Sequence, residues 1–362
     1  MTEQPILHIA GLYKQFGDFV ALHSIDLKVM EGEFLAIVGP SGSGKTTLIR
    51  LLVGMDEPTE GTIWLRNRRI DTVPANQRPT CMVFQSLALF PHMTVGQNIE
   101  FPLKIRGVSP DERRARALEL LDLLRLPRNY YGKRVTQCSG GERQRVALAR
   151  ALAFDPEILF FDEPLSALDY RLRKTLEKEL KDLHERTGKT FIYITHSLEE
   201  AMAMSDRIAI MRQGRFEQIA PADVIYSRPV SRFVAEFMGE VNLFPVRGGS
   251  LSEAAGLAVA PSAMGRAPFD GVPRGTLMVR PENVKFLPAG GLGADDAAPD
   301  ITLTGRMRAA FDLGSRIQYE VEPSHGGRIV VETLRENRFG GAMGTEVTLG
   351  WNLDKCHLIA ED

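Results

Sequence analysis

The pattern of apolar and polar positions changes near residue 240. Before that point, unbroken apolar runs such as Phe34–Val38 and Ile158–Phe161 alternate with helical periodicity, which predicts an α/β fold with a largely parallel sheet. After it, glycine and proline become dense, and short strand-like runs occur at Thr276–Val279, Ile301–Thr304, Ile317–Val321, Arg328–Val331 and Val347–Leu349. We therefore predict an α/β domain over residues 1–240 and a small β domain, barrel or sandwich, over residues 241–362.

Helical signals lie in the first domain. Ser109, Pro110 and Glu112 form a capping box with proline at the first helical position. A later helix carries Leu172, Leu176, Leu180 and Leu183, and Gly188 would end it. A helical subdomain is predicted over about residues 87–155. In the second half, we expect a flexible connection around Arg247–Arg274 and an exposed acidic, glycine-rich loop at Ala289–Asp300.

The composition of the chain argues against several classes of protein. The 362 residues are 44% hydrophobic and 25% charged with a net charge of −2, so no overall field favours nucleic acid or anionic lipid. Cys81, Cys138 and Cys356 are widely separated, which indicates reduced thiols rather than disulfides or a metal site. Neither a secretion signal nor a membrane-spanning run is visible. We expect a cytoplasmic protein that reaches a membrane only through a partner.

One segment fits the phosphate-binding pattern G-x-x-x-x-G-K-[ST], and its residues are Gly39, Pro40, Ser41, Gly42, Ser43, Gly44, Lys45, Thr46 and Thr47. It follows the predicted strand Phe34–Val38 and opens a predicted helix over Thr47–Val53, the context that the pattern requires. Glycines let the backbone amides turn toward a phosphate, and the helix dipole favours the same anion. Lys45 would reach the outer phosphates and the Thr46 hydroxyl would ligate Mg²⁺. The sequence therefore predicts a nucleoside triphosphate site.

Two acids follow the apolar run Ile158–Phe161. The run is typical of a central parallel strand, whose end would place Asp162 near the metal, directly or through water. Glu163 would then lie beside the γ-phosphate and polarise the attacking water as a general base.

A second helix start is unusual for its glycines. This helix start has the pattern of a capping box, which consists of Ser139, Gly140, Gly141 and Glu142. Each of the two glycines, however, costs a helix about 1 kcal/mol relative to alanine. The glycines are explained if the backbone approaches an anion closely. The phosphate would already be surrounded by the chain's own loop, so we predict a head-to-tail dimer in which this helix end serves the partner's nucleotide.

These motifs together resemble the ATPase subunit of ATP-binding-cassette transporters, over residues 5 to about 240. The resemblance implies four more site residues: Gln85 as the glutamine that touches the metal and the membrane partner, Asp169 as the aspartate loop at the dimer interface, His196 as the switch histidine on the γ-phosphate, and Phe16 as the aromatic that stacks on adenine. It also implies a P-loop NTPase cassette fold, with ATP and Mg²⁺ as cofactors. The family's signature usually reads Leu-Ser-Gly-Gly-Gln, whereas this chain has Cys138 and Glu142 at its ends. Glu142 would repel a phosphate unless it caps its own helix or faces Arg143 or Arg145.

The second domain resembles the regulatory β domain of import ATPases, an OB-like, TOBE-type fold, through Arg280-Pro281-Glu282-Asn283 and Trp351-Asn352. Arg280 and Glu282 could equally form an exposed ion pair. The segments 84–95 and 239–242 are most similar to polyamine-importer ATPases. Ferric-iron, sugar, phosphonate and sulfate importers remain alternatives.

The resemblance implies the partners. They are a second copy of the chain, membrane permease subunits that contact the Gln85–Gln97 region, and indirectly a solute-binding protein, at the cytoplasmic face of the inner membrane; nucleic acid is not among them. Four apolar side chains of this region would form a docking groove or part of the core, namely Leu87, Leu89, Phe90 and Met93. Three alternative functions compete with this hypothesis: a soluble cassette ATPase, a kinase or GTPase, and a regulatory subunit that does not hydrolyse ATP.

Overall fold

The structure is a computed structural model that describes residues 4–166, 168–247, 250–251, 257–260, 274–288 and 298–360. Its contacts divide the chain into two units, residues 1–222 and 223–362. Ala167, most of the predicted flexible connection at 247–274 and most of the predicted loop at 289–300 lie outside the described residues. No helix in the described part of the chain is long and apolar enough to cross a membrane.

The first unit contains ten strands, six α-helices and three short 3₁₀ helices within its described residues. The strands are β1 Leu7–Phe16, β2 Phe19–Val29, β3 Phe34–Val38, β4 Glu60–Leu65, β5 Arg68–Arg69, β6 Thr80–Val83, β7 Ile158–Asp162, β8 Thr190–Ile194, β9 Arg207–Arg212 and β10 Arg215–Ala220. The helices are α1 Lys45–Val53, α2 Val95–Ile105, α3 Pro110–Leu123, α4 Gly140–Leu152, α5 Tyr170–Thr187 and α6 Leu198–Met204.

The central sheet of this unit positions the loops that carry the chemistry. Its order is β10-β9-β3-β8-β7-β6, and the pairs among β9, β3, β8, β7 and β6 are parallel. The residues of β3 and β8 are all buried, as expected for apolar strands covered on both faces. Because parallel strands end at one edge, the loops after β3, β7 and β8 meet there. This confirms the predicted α/β fold.

Helices α2, α3 and α4 pack on one another in a shared core that includes Ile99, Leu121 and Leu148. The Ser109 capping box starts α3 as predicted, with Pro110 at its first position. Helix α5 buries Leu176, Leu180 and Leu183 and ends at Gly188, whose φ of 60° suits glycine. Leu89 packs against the same core, and the rings of Phe90 and Phe101 lie 4.5 Å apart, so part of the 87–93 segment belongs to the interior.

The second unit has two antiparallel sheets that share one core. Its elements are α7 Ala222–Ser227, α8 Arg232–Phe237, β11 Asn242–Arg247, β12 Ser250–Leu251, β13 Leu257–Val259, β14 Arg274–Val279, β15 Lys285–Phe286, β16 Ile301–Asp312, β17 Arg316–Pro323, β18 Ile329–Leu334, β19 Glu346–Trp351 and β20 Cys356–Ala360. The sheet orders are β12-β11-β14-β20 and β15-β19-β16-β17-β18, with β13 paired to β16. Phe244 stacks on Trp351 between the sheets at 5.5 Å, and both are buried. The β-rich prediction is confirmed.

Arg280 corrects one interpretation of the sequence. Its side chain is only 2% exposed, so it does not form an exposed ion pair with Glu282. Its guanidinium donates to the carbonyl oxygens of Tyr226 at 2.9 Å, Ala235 at 3.0 Å and Glu240 at 3.2 Å. Glu282 instead accepts a hydrogen bond from the Tyr226 hydroxyl at 2.9 Å. Arg280 thus joins the end of β14 to the segment that contains α7 and α8. The boundary at residue 240 stays a prediction, although this segment groups with the second unit.

We expect Arg280→Met to lower the free energy of unfolding of the second unit by about 2–4 kcal/mol, because it leaves several buried carbonyl groups without donors. The exposed Arg316, paired with Glu332 at 2.6 Å, is a matched control, and Arg316→Met should cost less than about 1 kcal/mol. The chain has two tryptophans. In a Trp64→Phe background, denaturant unfolding followed by fluorescence therefore reports on the buried Trp351 alone. Equal losses for the two variants would contradict the anchoring role.

Candidate active site

The loop between β3 and α1 is shaped for an anion. A Cβ on Gly39 would lie 2.1 Å from the carbonyl oxygen of Met211, so only glycine fits there. Gly44 precedes α1 with φ 103°, no side chain caps this helix, and its first turn contains no acid. The first amide groups of α1 are therefore free of side-chain acceptors, and the helix dipole adds positive potential at the same point. Helix α1 begins at Lys45 rather than at Thr47 as predicted.

Lys45 is buried within this loop. Its Nζ donates to the carbonyl oxygens of Gly39 at 2.8 Å and Pro40 at 2.9 Å, and lies 3.3 Å from Ser43 Oγ. Burial lowers the pKa of Lys45, and the nearby Glu163 and Asp162 oppose that shift. A phosphate at the loop would supply the anion that the buried ammonium group lacks.

A cleft of about 610 Å³ opens over the loop. Its lining consists of Phe19, Ala21, Ser41, Gly42, Ser43, Gly44, Lys45, Thr46, Thr47, Glu163 and His196. The fold thus brings the predicted loop, the predicted base and the predicted histidine to one place. Sequence reasoning missed Phe19 and Ala21. Phe16 does not line this cleft, but it pairs with Phe19 across the β1–β2 hairpin, and Lys14 Nζ lies 4.7 Å from its ring centre.

Glu163 and His196 meet because β7 and β8 are neighbours. Glu163 follows β7, and His196 lies shortly after the end of β8. His196 Nδ1 lies 3.1 Å from Glu163 Oε2. The backbone of Glu163 has φ 45°, an uncommon value for a residue with a Cβ, and its N–H donates to the carbonyl oxygen of Ile194 at 2.9 Å. The carboxylate is therefore directed by a constrained turn.

Asp162 gives the site its second carboxylate. Burial raises the pKa of Asp162, the charge of Glu163 raises it further, and Lys45 opposes both. A cation near the two carboxylates would stabilise their charged forms, which fits a divalent metal. The described residues contain no group of three or more His, Cys, Asp or Glu side chains placed for a metal. Ligation would therefore depend on Thr46, Gln85, Asp162 and the phosphates of a nucleotide.

Gln85 is linked to this centre through a serine. Its Nε2 donates to Ser166 Oγ at 2.9 Å, and that hydroxyl donates to the carbonyl oxygen of Glu163 at 3.0 Å. The Gln85 amide oxygen, the atom that a cation would take, is not used in this bond. Asp169 is placed differently, because its Oδ1 accepts the Leu172 N–H at 3.0 Å and caps α5.

The helix end at Ser139–Gly141 does not line the cleft among the described residues. Ser139 caps α4 as predicted, with its Oγ 3.3 Å from the Glu142 nitrogen. A Cβ on Gly140 would meet only Leu172, at an ordinary 3.9 Å. Packing inside this chain therefore does not require glycine at 140. The role of this helix end at a partner's nucleotide stays a prediction.

Glu142 caps its own helix. Its Oε2 accepts the Ser139 N–H at 2.7 Å, and its Oε1 accepts the Tyr130 hydroxyl at 2.9 Å. These bonds, led by the one from Ser139, lower the pKa of Glu142. Its cationic neighbour is Lys133, 3.6 Å away, rather than Arg143 or Arg145; Arg145 pairs with Glu179. The carboxylate is thus ionised and satisfied within the chain.

We expect Glu142→Gln to leave ATP-dependent dimerisation within about twofold of the parent, because the carboxylate already caps its own helix and faces Lys133, so little repulsion of a phosphate is left to remove. Glu142→Ala removes the same charge and also the cap, and is expected to weaken it. Analytical ultracentrifugation at several ATP concentrations measures both. Dimerisation of Glu142→Gln that is about fivefold or more stronger than that of the parent would show that the charge still repels the phosphate.

Family models match both halves of the chain. One described as ABC transporter matches residues 22–166, and one described as TOBE domain matches residues 277–359. The spermidine/putrescine import ATP-binding protein PotA 2 of Pseudomonas aeruginosa is 42% identical over 98% of this chain and 99% of its own length. The sulfate/thiosulfate import ATP-binding protein CysA of Brucella melitensis biotype 1 is 41% identical over 88% of this chain and 90% of its own.

Solved structures resemble about 60% of the chain. A dimeric ATP-binding cassette in a post-hydrolysis state, bound to ADP and Pi, has a TM-score of 0.52 at 34% identity and covers 60% of this chain and 98% of its own. The protein cbiO1 of Clostridium perfringens, part of the ABC transporter complex cbiONQ, has a TM-score of 0.57 at 28% identity, over 62% of this chain and 91% of its own.

Proposed function

The chain belongs to the ABC transporter family of ATPases, and on that premise we propose that it is the ATP-hydrolysing subunit of a membrane importer for polyamines. The observation that carries the proposal is similarity to a spermidine/putrescine import ATP-binding protein over nearly the whole chain, including the TOBE domain. Sulfate import is the second candidate, supported by a relative of almost equal identity that covers less of the chain.

ATP is proposed to bind in the cleft over the loop from Gly39 to Thr47. The α1 amides and Lys45 would hold the phosphates, since a buried ammonium group and an uncapped helix start both favour an anion. Phe16 or its hairpin neighbour Phe19 would stack on adenine; they are 48% and 66% exposed, as an aromatic that awaits a ligand should be.

Glu163 is proposed as the general base. Its carboxylate would accept a proton from the water that attacks the γ-phosphate, while His196, 3.1 Å away, fixes the carboxylate and contacts the phosphate. Thr46, Gln85 and Asp162 would hold Mg²⁺, which when bound neutralises developing charge on the phosphate oxygens.

A homodimer would complete two such sites. Ser139, Gly140 and Gly141 of one chain would meet the nucleotide of the other, with Asp169 at the interface. The dimeric cassette bound to ADP and Pi supports association of two copies. Because each γ-phosphate would bridge both chains, hydrolysis would release the closed dimer.

The Gln85–Gln97 region is proposed to contact membrane permease subunits at the cytoplasmic face of the inner membrane. Gln85 is exposed and joined through Ser166 to Glu163, so this region connects the surface with the hydrolytic centre. A solute-binding protein would act on the other side of the permease, and the TOBE domain would support and regulate the dimer.

The test is uptake by the reconstituted importer. The chain is copurified with its permease, placed in proteoliposomes with ATP inside, and supplied with the binding protein and labelled spermidine, putrescine or sulfate. Polyamine uptake that depends on ATP supports the proposal. Uptake of sulfate alone would show that the transported solute is sulfate and not a polyamine. ATP hydrolysis without any permease association would point to a soluble cassette ATPase.

A further inference from the structure

The segment after Gln85 contains two consecutive residues in an uncommon backbone conformation. Leu87 has φ 60° and Ala88 has φ 45°, both in the left-handed region that is unfavourable for residues with a Cβ. Leu87 is half-buried and Ala88 is exposed. Such a conformation persists where surrounding contacts hold it.

Arg150 supplies those contacts. One terminal nitrogen of its guanidinium donates to the carbonyl oxygen of Ala88 at 2.7 Å, and the other donates to that of Leu87 at 2.7 Å. The guanidinium also lies 5.8 Å from the ring centre of Phe90. A planar fork can hold two adjacent carbonyls at once, whereas the single ammonium group of lysine cannot reproduce that geometry.

Asn98 holds the other end of the segment. Its fully buried side chain accepts the Phe90 N–H at 2.8 Å and donates to the carbonyl oxygens of Phe90 at 3.2 Å and Thr94 at 2.9 Å. The segment is therefore fixed from α4 by Arg150 and from α2 by Asn98. The two helices share one core, so the segment has little freedom to move independently of them.

Helix α4 joins two features that lie at its opposite ends. It begins at the glycine-rich end, Ser139–Gly141, and Arg150 is in its last turn. We infer that Arg150 is a positioning residue that transmits displacement of this helix to the segment after Gln85. An anion that draws the start of α4 moves Arg150 with it, and the held carbonyls of Leu87 and Ala88 follow. This inference deepens the proposed function and rests on it, because it assumes that a nucleotide engages α4.

The hydrogen bonds from Arg150 to Leu87 and Ala88 are tested first, without reference to activity. Chymotrypsin can cleave after Leu87, Leu89 and Met93, whereas the Phe90–Pro91 bond resists it, so limited proteolysis of the full chain reports on residues 87–93. Arg150→Met should speed cleavage there at least about fivefold, since the local opening that admits the protease becomes easier. With Arg150 intact, Ala88→Pro should also speed cleavage after Leu89 and Met93, because proline fixes φ near about −65°, although the new proline blocks cleavage after Leu87 itself. Arg145→Met, which breaks the ion pair between Arg145 of α4 and Glu179 of α5, is the matched control and should change nothing. Unchanged cleavage in Arg150→Met overturns the inference.

The coupling is tested by steady-state hydrolysis with the permease present. Arg150→Met should lower kcat about tenfold and leave the KM for ATP within about twofold, because it misplaces the segment without touching the phosphate loop. Arg150→Lys should recover less than half of the loss. Adding Ala88→Gly to Arg150→Met should raise kcat at least about threefold, because glycine adopts the left-handed conformation without strain. Faster cleavage with an unchanged kcat, or no rescue by glycine, overturns the coupling. A parent protein that does not hydrolyse ATP at all would instead refute the proposed function.

Discussion

Replacing Glu163 by glutamine is expected to lower ATP turnover by about a hundredfold or more and to leave ATP affinity within about threefold. Glutamine keeps the size of the side chain and the constrained turn at φ 45°, but it cannot accept a proton from water. The phosphate loop and Lys45 are untouched, so binding should persist. Rapid filtration measures binding and phosphate release measures turnover.

Glu157→Gln is the matched control for this result. Glu157 directly precedes β7, the strand that Glu163 follows, and its carboxylate pairs with Arg66 at 2.6 Å. It should leave turnover unchanged, which separates loss of a base from a general effect of charge removal on the strand. Turnover of Glu163→Gln within about threefold of the parent would refute the general-base role.

The second large effect concerns which chain completes each site. Lys45→Ala and Ser139→Arg should each abolish hydrolysis as homodimers. Heterodimers that carry one substitution in each chain, purified with two affinity tags, should regain about half of the parent rate, because one of the two sites joins an intact loop to an intact helix end. Hydrolysis per heterodimer is the measurement.

The converse heterodimer makes the result decisive. It pairs an unsubstituted chain with one that carries both substitutions. If each site is shared between chains, both sites are damaged and activity should be nearly absent. If each site lies within one chain, this heterodimer keeps about half the rate and the first one has none. That outcome would refute the head-to-tail dimer.

Local patterns were enough to predict the loop from Gly39 to Thr47 and the placement of Glu163. Each depends on an apolar strand and the few residues after it, and parallel strands with a common direction place such ends together. The capping boxes at Ser109 and Ser139 were predictable for the same reason, since a cap involves residues only three positions apart.

Contacts between distant residues were not predictable in this way. Phe19 lines the cleft because the β1–β2 hairpin lies beside the loop, and nothing in its own neighbourhood specifies that. Arg150 lies more than sixty residues from Leu87, and an arginine in a helical pattern is ordinarily an exposed residue. Arg280 was interpreted from its neighbour Glu282, whereas its partners are main-chain oxygens, which leave no trace in the identity of side chains.

The hydrogen bonds from Arg280 to the main chain of Tyr226, Ala235 and Glu240 also limit where two related proteins can be joined into a chimera. A chimera that crosses over after residue 240 pairs one parent's arginine with helices from the other parent, and any shift of those helices leaves a buried cation without acceptors. A crossover after Ala222 transfers the arginine together with the main chain that it binds. Exchange of C-terminal regions among such ATPases should therefore yield folded hybrids more often at the earlier junction.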